Sequence, residues 1–80
     1  MRKPIPRDPT PADLAVLRSV KRHVRAWRCA PTRAELSTEL GVSRPTVEFH
    51  LQTLSASGLL RLTKQWRGIE LTERGRSCRT

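Results

Sequence analysis

Apolar residues recur along this chain in two different rhythms. Leu14, Leu17, Val20, Val24 and Trp27 fall three or four positions apart, the spacing of one helix face. Thr10 is placed to cap that helix, Pro11 suits its first position, and Asp13 sets a carboxylate at the positive end of the helix dipole. Pro31 restricts Ala30, so the helix is predicted to stop near Arg28, with Trp27 in the core. A second helix starts at Thr32, where Thr32-Arg33-Ala34-Glu35 forms a capping box. Leu36 and Leu40 face inward one turn apart, and Gly41 closes the helix. Ser43 caps a third helix, which buries Val47, Leu51 and Leu54, carries His50 on its edge and runs to about Ala56 before Gly58. The rhythm then changes to two. Leu60 and Leu62 flank Arg61, Ile69 and Leu71 flank Glu70, and Lys64-Gln65-Trp66-Arg67-Gly68 joins the two runs as a hairpin with a basic tip.

This order predicts a mainly α fold with a small antiparallel sheet: three helices plus a β-hairpin wing, a winged helix-turn-helix. Residues 1–9, with Pro4, Pro6 and Pro9 among Arg2, Lys3 and Arg7, read as a flexible basic arm. Residues 10–72 form the folded domain and residues 73–80 a polar tail. With 80 residues and 4% aromatic content, one small core must rest on Leu, Val and Ile.

Charge narrows the function. Sixteen Lys and Arg face seven Asp and Glu, for a net charge of +9, and thirteen of the sixteen are Arg. That exceeds the magnitude of roughly 2–8 that solubility asks of a small domain. Arg is also the side chain suited to bidentate phosphate and guanine contacts. A polyanion is the expected partner. No apolar run is long enough to span a membrane, and the N-terminus lacks the apolar stretch of a secretory signal, so the cytoplasm is the expected location. Cys29 and Cys78 are expected as two thiols, and with His23 and His50 they show no metal-ligand spacing. No nucleophile–base set or phosphate-cradling glycine loop is present. The chain therefore reads as a non-enzyme without cofactor or metal.

In a helix-turn-helix the first helix of the pair braces the second, whose N-terminal end enters the major groove. The candidate base-reading residues are accordingly Arg44, Pro45, Thr46, Glu48, Phe49 and Gln52. With Val47 set to the core, a turn of about 100° per residue carries Phe49 to the opposite side. There it would meet a thymine methyl, or else pack under the arm or in a dimer contact. Gln52 suits adenine. Arg44 suits guanine or a phosphate, and Glu48 either cytosine or a solvated or internal ion-pair role. Backbone contacts are expected from Arg33, Ser43, Thr53, Lys64, Gln65, Trp66 and Arg67. Trp66 either folds back on the core or lies against a sugar. The cations Arg18, Lys21, Arg22, Arg25 and Arg28 line the first helix either as a solvated face or as a further contact.

Pro31-Thr32-Arg33-Ala34-Glu35-Leu36, Leu40-Gly41, His50-Leu51, Leu54, Gly58 and Arg67-Gly68-Ile69 resemble the N-terminal DNA-binding domain of LexA-type repressors, over about Ala12 to Leu71. The resemblance implies three helices and a small sheet, with the helix after Ser43 in the major groove and the wing on the backbone. It implies a bacterial or phage transcription regulator, a repressor, acting on double-stranded DNA. Two departures limit the likeness. The family's turn is one residue longer. Its recognition helix reads Ser-Pro-Asn-Ala and then two acids, where this chain has Ser43-Arg44-Pro45-Thr46-Val47-Glu48-Phe49. A different operator is expected. The family's peptidase domain, its dimer interface and its damage response have no counterpart in these residues. A homodimer formed only on DNA is one expectation for assembly. A protein-interaction module that binds a host regulator or polymerase through the same surface is the competing reading.

Overall fold

Three capped helices build the framework of the computed structural model, which describes residues 9–64 and 68–78. Helix α1 (Pro11–Trp27) begins at Thr10, whose side chain accepts from the Asp13 N–H while the Asp13 carboxylate accepts from the Thr10 N–H. Helix α2 (Arg33–Leu40) repeats the device with Thr32 and Glu35. Helix α3 (Arg44–Ala56) starts from Ser43. Strands β1 (Leu60–Leu62) and β2 (Ile69–Leu71) pair antiparallel, and the five-residue helix α4 (Glu73–Ser77) follows. The winged helix-turn-helix arrangement is present.

The core gathers Val16, Leu17 and Val20 from α1, Leu36 from α2, Val47, Leu51 and Leu54 from α3, and Leu59, Leu60 and Ile69 around the sheet. The turn between α2 and α3 is three residues, Gly41 to Ser43. Gly41 takes φ 68°, and the Gly41 and Val42 N–H groups both donate to the Ser37 carbonyl, at 3.0 and 3.2 Å. The Ser37 hydroxyl returns a hydrogen bond to the Val42 carbonyl. These bonds satisfy the end of α2 and fix the angle at which α3 leaves.

Trp27 is a correction: it is 70% exposed rather than core. Its direction was read properly, since seven residues on from Val20 it lies within about 20° of that residue around the helix. The stripe gives a face, however, and not an axial limit. Toward the end of α1 the cover thins: Val24 is partly buried against the core and Trp27, three residues on, stands in solvent. Immediately after it, Arg28 holds φ 60°, ψ 19°, a left-handed position that favours glycine. Arg28→Gly is expected to stabilise the fold by about 1 kcal/mol, read as a higher urea midpoint at unchanged slope.

The polar tail carries structure that periodicity could not reveal. Thr72 caps α4 and its hydroxyl donates to the Gly58 carbonyl at 2.7 Å. Lys21 Nζ donates to the Cys78 carbonyl at 2.6 Å, tying the end of α4 to α1. The close approach needs Gly75: a Cβ there would stand 2.1 Å from the Leu59 carbonyl oxygen. Gly75→Ala should therefore push α4 off its seat. Because α4 is a single short turn, the loss is bounded at about 1–3 kcal/mol, measurable by denaturant titration beside a chain ending at residue 72.

Candidate nucleic-acid interface

Helix α3 is two-sided. Val47, Leu51 and Leu54 are fully buried. Pro45, Phe49, Gln52 and Ala56, spaced four, three and four residues apart, stand exposed on the other side. Phe49 is 57% exposed, and its ring meets the His50 ring edge-on, with centroids 5.6 Å apart. The sequence assigned Phe49 to this side, and it is there. Ser43 caps the helix, its Oγ 3.3 Å from the Thr46 N–H and 2.8 Å from Thr46 Oγ1. Arg44 projects exposed from the first turn, with no ion pair among the described residues. Thr53 is half-buried and its hydroxyl donates to the Phe49 carbonyl at 3.1 Å.

Along one border of this face runs a hydrogen-bonded chain. Arg33 Nε donates to Glu48 Oε2 at 2.7 Å, and Gln52 Nε2 donates to Glu48 Oε1 at 3.2 Å. The bond from Arg33 is the main cause of a Glu48 carboxyl below its usual range, opposed in part by desolvation. The small stabilisation from this pair is thus present above the ordinary carboxylate range and fades as pH falls through it. The internal ion pair, one of the roles expected of Glu48, is formed with Arg33. Arg33, assigned to the backbone, is half-buried at the α2–α3 junction and engaged with Glu48.

The hairpin stands beyond the far end of α3. Leu60 pairs with Leu71, Arg61 with Glu70 and Leu62 with Ile69. The exposed Arg61 guanidinium lies 2.9 Å from Glu70 Oε1 and holds that carboxyl below its ordinary range. Thr63 N–H donates to the Gly68 carbonyl at 2.8 Å, closing the base of the wing loop. Lys64 is exposed at its start. Gln65, Trp66 and Arg67, the other wing candidates, lie outside the described residues.

The α1 cations divide. Arg18, Arg25 and Arg28 are exposed, Lys21 is bonded to the Cys78 carbonyl, and Arg22 pairs with Glu39. Glu39 also accepts from Ser19 and lies 3.1 Å from His23 Nε2, so it joins α2 to α1. Sequence reading missed this group and a second one. Asp13 is fully buried, and its Oδ1 lies 2.6 Å from His50 Nδ1. The sequence placed Asp13 at the positive end of α1, but nothing in the pattern paired it with a histidine on the third helix.

Among the described residues, no three His, Cys, Asp or Glu side chains gather as a metal site, and no helix is long and apolar enough to cross a membrane. Cys29 is exposed and Cys78 half-buried, with no disulfide between them. What the surface offers is an exposed helix face, a cation at its N-terminal end and a hairpin at its other end. No curated protein matches the chain significantly. Residues 7–67 match the family model for the LexA DNA binding domain.

Proposed function

The chain belongs to the LexA DNA-binding domain family, and from that premise we propose that it is a sequence-specific regulator that represses transcription by seating α3 in the major groove of duplex DNA. The observation that carries this reading is the exposed Pro45–Phe49–Gln52 face opposite a fully buried stripe. A helix buried on one side by its own domain and exposed on the other fits the groove width of B-form DNA. Phe49 meets a thymine methyl, Gln52 reads a neighbouring base, and Arg44 with Pro45 and Thr46 occupies the end of α3 nearest the groove floor. Ser43, Thr53, Lys64 and the wing residues Gln65, Trp66 and Arg67 hold the phosphates. Arg33 braces Glu48 and borders the same backbone. The chain acts by binding and not by catalysis.

Selection of random duplexes on the purified protein tests this. A recovered motif favoured about 10³-fold or more over scrambled duplex is expected, and the preference should persist as salt rises. Half-site spacing in that motif reports whether two copies bind together. Binding without a motif, lost as salt rises, would overturn sequence-specific recognition and turn attention to a protein partner for the same face.

Glu48 gives a sharper check. Glu48→Gln removes a negative charge from the border of the DNA face and releases Arg33. Stability should change by no more than about 1 kcal/mol, because the pair is only partly buried and water still screens it. Affinity for scrambled duplex should rise about three- to tenfold at low salt, followed by fluorescence anisotropy. A fall in affinity confined to the selected duplex would instead place Glu48 on a base.

A further inference from the structure

His50 sits at the border of the α3 face without being assigned to it. Around the helix it stands in line with Thr46 four residues before and Thr53 three residues after, on the flank toward the start of α1. Its Nδ1 is 2.6 Å from Asp13 Oδ1. Asp13 is held in turn: its Oδ2 accepts from the Thr10 N–H at 2.8 Å and from the Thr10 hydroxyl at 3.0 Å. A carboxylate accepts only, so the hydrogen of this bond belongs to Nδ1 of the imidazole. The opposite nitrogen is different. Among the described residues His50 has no hydrogen-bond partner at Nε2, and no buried side-chain nitrogen or oxygen there lacks a partner. Nε2 therefore opens to solvent, although the side chain as a whole is only 14% exposed. The ring thus has its inner nitrogen fixed by a buried carboxylate and its outer nitrogen in contact with solvent.

The place where Nε2 emerges favours an anion. It lies beside the N-terminal end of α1, the positive end of that helix's dipole. A helix seated in a groove has base edges before its exposed face and the sugar-phosphate backbone along its flanks. His50 is on a flank, about 100° around from Phe49.

We infer that His50 is a phosphate-binding residue. Its Nε2 donates to one non-bridging oxygen of the duplex backbone, and Asp13 is the positioning residue that fixes the ring through Nδ1. In the complex the ring bridges the Asp13 carboxylate and the phosphate. The inference rests on the DNA-binding reading above and adds a contact to it.

The test uses two variants that split the imidazole. The amide nitrogen of His50→Asn falls near the position of Nδ1, so it keeps a donor for Asp13 and removes the outer one. The amide nitrogen of His50→Gln falls near Nε2 and keeps the outer donor alone. Each is titrated with the selected duplex and with duplexes carrying a single neutral methylphosphonate at each backbone position in turn. The wild-type chain should lose about tenfold in affinity at one phosphate beside the start of α1. His50→Asn, folded by urea titration, should bind every unmodified duplex about tenfold more weakly, with a salt slope smaller by about one, and should lose nothing further at that phosphate. His50→Gln should keep its sensitivity there. Undiminished binding by His50→Asn, or losses that add at every methylphosphonate position, would overturn the contact. A wild-type chain with no affinity for any duplex would overturn the DNA reading itself, and this inference with it.

Discussion

Phe49→Ala is expected to weaken binding to the selected duplex by about 50-fold while the protein remains folded. The ring is 57% exposed, so seating it against the groove removes on the order of 100 Å² of apolar surface from water. At about 25 cal/mol per Å² that is worth roughly 2.5 kcal/mol. The folded state loses less, because the ring's packing within the domain is partial. The edge-on contact with His50 accounts for about 0.5–1 kcal/mol at most. The effect should also be selective. Scrambled duplex is held by phosphate contacts that Phe49 does not make, so its affinity should barely move. Anisotropy titration with both duplexes, beside a urea curve for the same variant, reads all three quantities. Equal losses on both duplexes would remove Phe49 from base recognition. Unfolding would mean that the ring packs against the domain in a way its exposure does not indicate.

The largest stability effect is expected at Asp13. Asp13→Ala should cost about 3 kcal/mol, a large share of the roughly 5–15 kcal/mol that holds a small domain folded. Several losses coincide. The Thr10 N–H and hydroxyl both lose their acceptor, which undoes half of the capping box and exposes the first turn of α1 to fraying. His50 Nδ1 loses its partner while mostly buried, and an unsatisfied buried donor carries the full desolvation penalty. A small cavity remains as well. Asp13→Asn should fall between wild type and alanine, since its amide keeps one oxygen as an acceptor but not two. Denaturant titration of the three proteins gives the order. A loss within about 0.5 kcal/mol for alanine would show that water replaces the carboxylate freely at that site.

These two positions mark how far the sequence could be read. Phe49 was legible because burial on one side of a helix dictates exposure on the other. The period of α3 is set by Val47, Leu51 and Leu54, and the angle to Phe49 follows from geometry alone. The caps at Thr10, Thr32 and Ser43 were legible for a related reason, since each satisfies backbone groups within three residues of itself. The hairpin showed itself through the change of rhythm after Gly58. Trp27 marks the failure of the same method. It repeats on the core side of α1, but the length over which α2 and α3 cover that side is a property of the packed helices.

What the sequence by itself determined about this protein is local: helix and strand periods, caps, the left-handed turn at Gly41, the side of α3 that faces outward, and the excess of Arg that calls for a polyanion. Each depends on residues a few positions apart, or on composition. What only the tertiary structure decided is every pairing across long separations. Asp13 meets His50 from 37 residues away. Arg33 claims Glu48 from 15 away. Glu39 gathers Arg22, His23 and Ser19, and Gly75 seats α4 against the Leu59 carbonyl. Any of several carboxylates could have met any of several cations as far as spacing is concerned. The choice falls to the close-packed core, which fixes the helix axes and leaves each polar side chain within reach of particular partners.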